Sequence, residues 1–96
     1  MRDLAAMKLL AVYQRGTKKD FIDVYAMMMA RRLTLSAMLD AFREKFGVSD
    51  TREVLRALSY FGDADPLPMP HMLWPMTWDE VKAGVLRAVS AIAGHG

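Results

Sequence analysis

The sequence predicts an all-α domain: a compact bundle of about five helices, with a Pro-rich strap before the last one. Three observations predict it. Apolar residues recur at helical spacing along most of the chain, and no stretch alternates apolar and polar over a strand's length. Gly and N-cap residues punctuate that pattern about once per helix. All four prolines fall within residues 62–76. The 96 residues read as a single domain, long enough to bury a modest core.

The first helix is expected from about Asp3 to Gln14, stopping near Gly16. Leu4, Met7, Leu9, Leu10, Val12 and Tyr13 make it apolar on most sides, the mark of a central helix. The second follows at once. Thr17 is its N-cap, and Asp20, three residues on, suits the positive end of the helix dipole. It runs to about Arg31, with Phe21, Val24, Tyr25 and Met28 on one face. The third opens at Thr34, with Leu33 and Met38 as a hydrophobic staple, and ends at Gly47. Leu35, Met38, Leu39, Phe42 and Phe46 are its buried stripe. The fourth is expected to open at Asp50, with Glu53 completing a capping box, to face Val54, Leu55, Leu58 and Phe61 inward, and to end at Gly62. Residues 62–76 then form an irregular segment that Leu67, Met69, Met72, Leu73 and Trp74 should pack across the helices. The last helix opens at Thr77 with Glu80 as capping-box partner, buries Trp78, Val81, Val85, Val89 and Ile92, and ends near Gly94.

Composition removes several classes of function. The chain has no cysteine, so no disulfide framework, cysteine nucleophile or thiolate metal site is available. Its two histidines, His71 and His95, are far apart, and no metal-ligand spacing occurs. The longest uncharged apolar run, around Val24 to Ala30, is far short of the ~20 residues needed to cross a bilayer. Asp3 and Lys8 make the start unlike a secretory leader, and the expected compartment is the cytoplasm. There is no glycine-rich phosphate loop and no Ser-His-acid pattern. The nine methionines read as core filler or as a helix-packing surface.

The net charge of +2 is uneven: residues 1–32 carry net +4 and the remainder net −2. Within the basic third, residues 8–23 are the hardest to explain by packing. Lys8 and Arg15 are seven apart and share a helix face with Leu4 and Ala11. Asp20 and Asp23 are three apart and share a face of the next helix. Gly16 and Thr17 make the corner that folds the two helices back on each other. In one reading Arg15, Lys18 or Lys19 pairs with Asp20 or Asp23 to stitch that corner, with Lys8 at the rim. In the other, Lys8 and Arg15 hold a phosphate chain while a carboxylate orients a base, sugar or attacking group. Two acids at i and i+3 are a weak signal for Mg²⁺, and no resident metal is assigned.

The run AAMKLLAVYQRGTKKDFIDVYAMM, residues 5–28, resembles the C-terminal part of the AbiEii/AbiGii-type nucleotidyltransferase toxins. YFGDADPLPMP at 60–70 and MTWDEVK at 76–82 are similar to two softer motifs of that family. The resemblance implies a cytoplasmic prokaryotic toxin of a toxin-antitoxin system that uses a nucleoside triphosphate, with Mg²⁺, and transfers a nucleotidyl group. It implies that Lys8 matches the lysine contacting the triphosphate and Arg15 the arginine of the same motif. Lys19 matches the lysine before the acidic motif, and Asp20 and Asp23 match that acidic pair. The family's Gly-Ser signature and the Asp-x-Asp pair that binds catalytic metals are not found ahead of Lys8; Asp63 and Asp65 are the only such pair, inside the strap. The chain is therefore expected to be inactive alone and to meet a nucleotide, a separate nucleotidyltransferase domain or an antitoxin. The runner-up is a helical protein–protein interaction module, homodimeric through its Met-rich surface, with no nucleotide role. RNA binding through the basic hairpin is the third reading, disfavoured because the basic stripe is sparse.

Overall fold

Three of the four predicted caps, Thr17, Thr34 and Thr77, act where backbone N–H groups would otherwise be orphaned, and five helices result. The computed structural model describes residues 2–70 and 75–93, with backbone alone at Ala93. In chain order the helices are α1 (Arg2–Gln14), α2 (Lys18–Ala30), α3 (Leu35–Phe46), α4 (Arg52–Leu58) and α5 (Trp78–Ala93), and no strand occurs among the described residues. None of these helices is long and apolar enough to cross a membrane.

The small, buried residues of α1 let it serve as the hub. Ala5, Ala6, Leu9 and Val12 are buried, and α1 packs against α2, α3 and α4. Phe21, Val24 and Met27 of α2, Leu35, Met38, Leu39 and Phe42 of α3, Val54 and Leu58 of α4, and Val81 and Val85 of α5 complete one core. The expected stripes hold with small rotations. On α2, Ile22 and Met27 are buried, while Tyr25 and Met28 are only half-buried and Met29 is 63% exposed. The three consecutive methionines therefore divide between core and surface. Phe46 of α3 is exposed at its edge and leans on the Phe42 ring, 4.9 Å away.

Thr34 Oγ1 accepts from Ala37 N, and Gly47 closes α3 in the left-handed region at φ 65. The fourth helix departs from expectation at both ends. Asp50 is not its N-cap and no capping box with Glu53 forms. Asp50 Oδ1 instead accepts from Arg52 N at 2.9 Å, and its carboxylate holds the Arg52 guanidinium at 2.7 Å. The N-cap position falls to Thr51, whose hydroxyl accepts from Arg43 Nη2 at 3.1 Å and makes no cap bond. At the other end, Ser59 Oγ donates to Leu55 O and Ser59 N donates to Arg56 O, so the helix tightens and stops at Leu58. Phe61 still faces inward, but from a turn: its carbonyl accepts from Ala64 N and Asp65 N.

The strap is held differently from expectation too. Leu67 and Met69 are both 37% exposed, while among the described strap residues Ala64 is buried and Met76 packs against the core. His71, Met72, Leu73, Trp74, Gly94 and His95, invoked above, lie outside the described residues. Thr77 Oγ1 accepts from Glu80 N at 3.1 Å, so the expected N-cap of α5 forms, but the Glu80 carboxylate does not return a bond to Thr77 N to complete the box. At the α2–α3 link Arg32 adopts φ 53, a left-handed conformation usual for glycine.

Helices α2 and α5 approach through Gly84, which is buried beneath the Tyr25 ring. A Cβ there would overlap the ring edge. Alanine is the better helix former by about 1 kcal/mol. Even so, Gly84→Ala is expected to destabilise by about 1–2 kcal/mol, because a packed ring has to move. In a Tyr25→Ala background the sign should reverse, to a gain of up to about 1 kcal/mol. Urea denaturation of the four proteins checks this.

Candidate functional site

The corner between α1 and α2 is built by backbone chemistry. Arg15 N and Gly16 N both donate to Ala11 O, at 2.8 and 3.2 Å, and Gly16 turns the chain at φ 61. A Cβ on Gly16 would sit 3.3 Å from Val12 O, in a conformation that L residues rarely adopt. Thr17 then caps α2. Its Oγ1 accepts from Asp20 N, while Asp20 Oδ2 accepts from Thr17 N at 3.0 Å and from Thr17 Oγ1 at 2.7 Å. This is a capping box made with aspartate in place of the usual glutamate.

All five charged residues singled out in the sequence are brought together here, with Arg15 and Lys19 in the ion pairs that the corner-stitching reading named. Arg15 Nη2 donates to Asp20 Oδ1 at 2.8 Å. Lys8 Nζ and Lys19 Nζ both donate to Asp23 Oδ2, each at 3.1 Å. The groups are not equivalent. Asp20 is 3% exposed and both of its oxygens are engaged, so it is part of the scaffold. Arg15, at 67% side-chain exposure, reaches out from it into solvent. Lys8 and Asp23 are partly buried, and Lys19 stands outside them.

Beside this corner lies a hollow of about 310 Å³. Leu4, Met7, Leu10 and Ala11 supply its apolar lining, and Lys8, Gln14, Arg15 and Asp23 its polar one. Asp20 and Lys19 do not line it. They stand behind Arg15 and Asp23 and hold them. Lys8 and Arg15 are two helical turns apart, roughly 10 Å of rise along α1. Two cations at that separation, over an apolar floor, suit an extended polyanion that carries a flat apolar group.

The donor set does not fit a resident Mg²⁺. Both oxygens of Asp20 receive protein donors, and Asp23 Oδ2 receives two ammonium groups. No group of three or more His, Asp or Glu residues is placed to hold a metal among the described residues. A cation that arrives with a nucleotide would be carried by the phosphates.

Burial alone would raise the Asp20 pKa. Hydrogen bonds from the Thr17 side chain and backbone, and then from Arg15, outweigh it and hold the carboxyl below its ordinary 3.8.

Sequence reasoning placed Lys18 only among the stitching candidates, and the structure gives it a different partner. It is buried at 7% exposure, with Nζ donating to Asp65 O at 3.2 Å and Leu67 O at 2.6 Å. One signal was available: a cation in the first turn of a helix opposes the dipole and needs compensation from elsewhere. The Asp63–Asp65 segment is turned, and the half-exposed side chain of Asp65 reaches onto α5. Its Oδ1 accepts from Trp78 Nε1 at 2.7 Å and from Lys82 Nζ at 3.1 Å.

Residues 1–92 match the family model described as "Nucleotidyl transferase AbiEii toxin, Type IV TA system". A relative from Aquifex aeolicus (strain VF5), named "Uncharacterized protein aq_aa25", is 35% identical over 63 residues, covering 66% of this chain and 31% of its own length. The chain thus matches under a third of that relative. No solved structure matches.

Because the Asp20 carboxyl is held below 3.8 in the folded protein, its stabilising effect is complete above that value and is lost as pH falls through the lowered native one. Asp20→Asn should therefore flatten the loss of stability between about pH 5 and pH 2 relative to the parent chain. Thr17→Ala should cost about 1–2 kcal/mol at neutral pH. Denaturant unfolding across that pH range reads both effects.

Proposed function

We propose that this chain, which belongs to the AbiEii nucleotidyl transferase toxin family, is a helical part of such an enzyme that binds nucleotide at the α1–α2 corner and is catalytically incomplete alone. One observation carries the reading: Lys8 and Arg15 open into a single hollow above an apolar floor, Arg15 held from behind by Asp20 and Lys8 held by Asp23 at the hollow's edge. In this reading the phosphate chain lies along α1 between the two cations. Arg15 offers its fork to one phosphate group and Lys8 a compact charge to another. Asp20 and Asp23 keep both cations oriented before the ligand arrives, which lowers the ordering cost of binding. The base rests on Leu4, Met7 and Ala11.

Metal-assisted nucleotidyl transfer needs carboxylates that align the phosphate and the attacking group. The residues of this chain supply no Gly-Ser and no Asp-x-Asp ahead of Lys8. A separate nucleotidyltransferase domain would bring them to the hollow, and an antitoxin would be the opposing partner. The second reading, a helical interaction module, is favoured by one feature. Leu4, Met7, Tyr13 and Met29 are each between 45% and 63% exposed, leaving large apolar side chains open to a partner.

Calorimetric titration with GTP, ATP, CTP and UTP, with and without Mg²⁺, tests the first reading. At least one nucleotide should bind, and Lys8→Ala plus Arg15→Ala should weaken it about tenfold or more, since each lost charge-assisted bond is worth roughly 1.5–3 kcal/mol. No binding at millimolar nucleotide, or binding indifferent to the double substitution, overturns it. Light scattering separates the second reading: a stable dimer supports it, and a monodisperse monomer counts against it.

A further inference from the structure

The nucleotide reading leaves one cluster without a role, and both of the later sequence motifs end in it. Asp65, from YFGDADPLPMP, receives the indole N–H of Trp78 and the ammonium of Lys82, both from MTWDEVK. The Trp78 ring faces Lys18 Nζ at 5.1 Å and Lys82 Nζ at 5.7 Å, and meets Phe21 and Phe61 edge-on at 5.9 and 5.8 Å. Lys18 lies at the centre, bonded to the main-chain oxygens of Asp65 and Leu67.

A lysine is a costly choice for this position. Its charge is buried, it stands at the wrong end of the helix dipole, and it has no carboxylate within ion-pair distance among the described residues. Simple packing would be served by an apolar side chain. What the ammonium adds is direction: two bonds of fixed geometry between the strap and the first residue of α2. The same first turn carries the Thr17–Asp20 capping box, which holds Arg15, and Asp23 follows one turn later, holding Lys8.

We infer that Lys18 is a positioning residue for the hollow: by clamping the strap it fixes the first turn of α2, and through Asp20 and Asp23 it sets Arg15 and Lys8. The functional half of this inference rests on the nucleotide reading; the carboxylate arrangement it predicts exists without any ligand. Asp65, Trp78 and Lys82 act one step further back. They hold the strap so that its carbonyls meet the ammonium.

The test compares the intact chain with Lys18→Met, which keeps the stem and removes the charge, and Lys18→Arg, which restores donors. Two readouts are taken: the ¹³C titration of the Asp20 carboxyl, and affinity for GTP and ATP with Mg²⁺. Lys18→Met should raise the Asp20 midpoint toward the ordinary carboxylate value and weaken nucleotide about threefold or more, with Lys18→Arg recovering part of both. Leu39→Ala, a core truncation on α3, should lower thermal stability without moving the Asp20 midpoint, which separates positioning from general loosening. Trp78→Phe removes the N–H that holds Asp65 without removing a charge, so it should shift both readouts the same way where loss of the Lys18 charge alone would not, and it also serves should Lys18→Met not fold. An unmoved Asp20 midpoint in a folded variant overturns the clamp. A moved midpoint with unchanged affinity overturns its role in binding. If the intact chain binds no nucleotide, the reading of the hollow falls, and with it the functional half of the inference, while the titration alone decides the clamp.

Discussion

The bonds exchanged between Thr17 and Asp20 fix where α2 begins, and the rest of the corner is measured from them. Gly16 has ended α1 one residue earlier in a conformation that other residues resist, so the chain has no slack between the two helices. With both ends set, the register of α2 is determined. Asp20 must lie under Arg15, and Asp23, nearly one turn further on, must come level with Lys8. The ion pairs are therefore consequences of the corner and add little to its strength, as expected for pairs that are partly solvated. What they contribute is orientation: two cations face a common hollow without collapsing onto each other.

Much of the fold was legible because helix starts are written locally. Thr17, Thr34 and Thr77 each accept from the residue three positions on, as their spacing implied. The fourth helix was misplaced because Asp50 had two competing uses. A flexible arginine two residues away offered a guanidinium and a backbone N–H together, and a capping bond to a more distant amide could not compete with that. Leu67 and Met69 of the strap were misjudged for a different reason. Their apolar character suggested burial, but there the proline-bent backbone turns main-chain oxygens to Lys18 and leaves both side chains partly outside.

The candidate site was legible as a set of residues but not as a set of roles. Spacing on two helices is enough to bring Lys8, Arg15, Lys19, Asp20 and Asp23 near one another. It does not say that Asp20 would be sealed among donors while Arg15 stays in water, because that depends on how closely the helices pack. Lys18 was hidden by distance along the chain. Its acceptors lie 47 and 49 residues away and are backbone atoms, which no side-chain pattern announces.

That last point bears on how such a chain tolerates change. A peptide carbonyl is furnished by whichever amino acid occupies the place, so the identity at 67 matters little to the ammonium, whereas position 65 also needs its carboxylate for Trp78 and Lys82. Divergence can run freely through most of the strap while the contact survives, provided the loop keeps its path and position 18 keeps a long cationic arm.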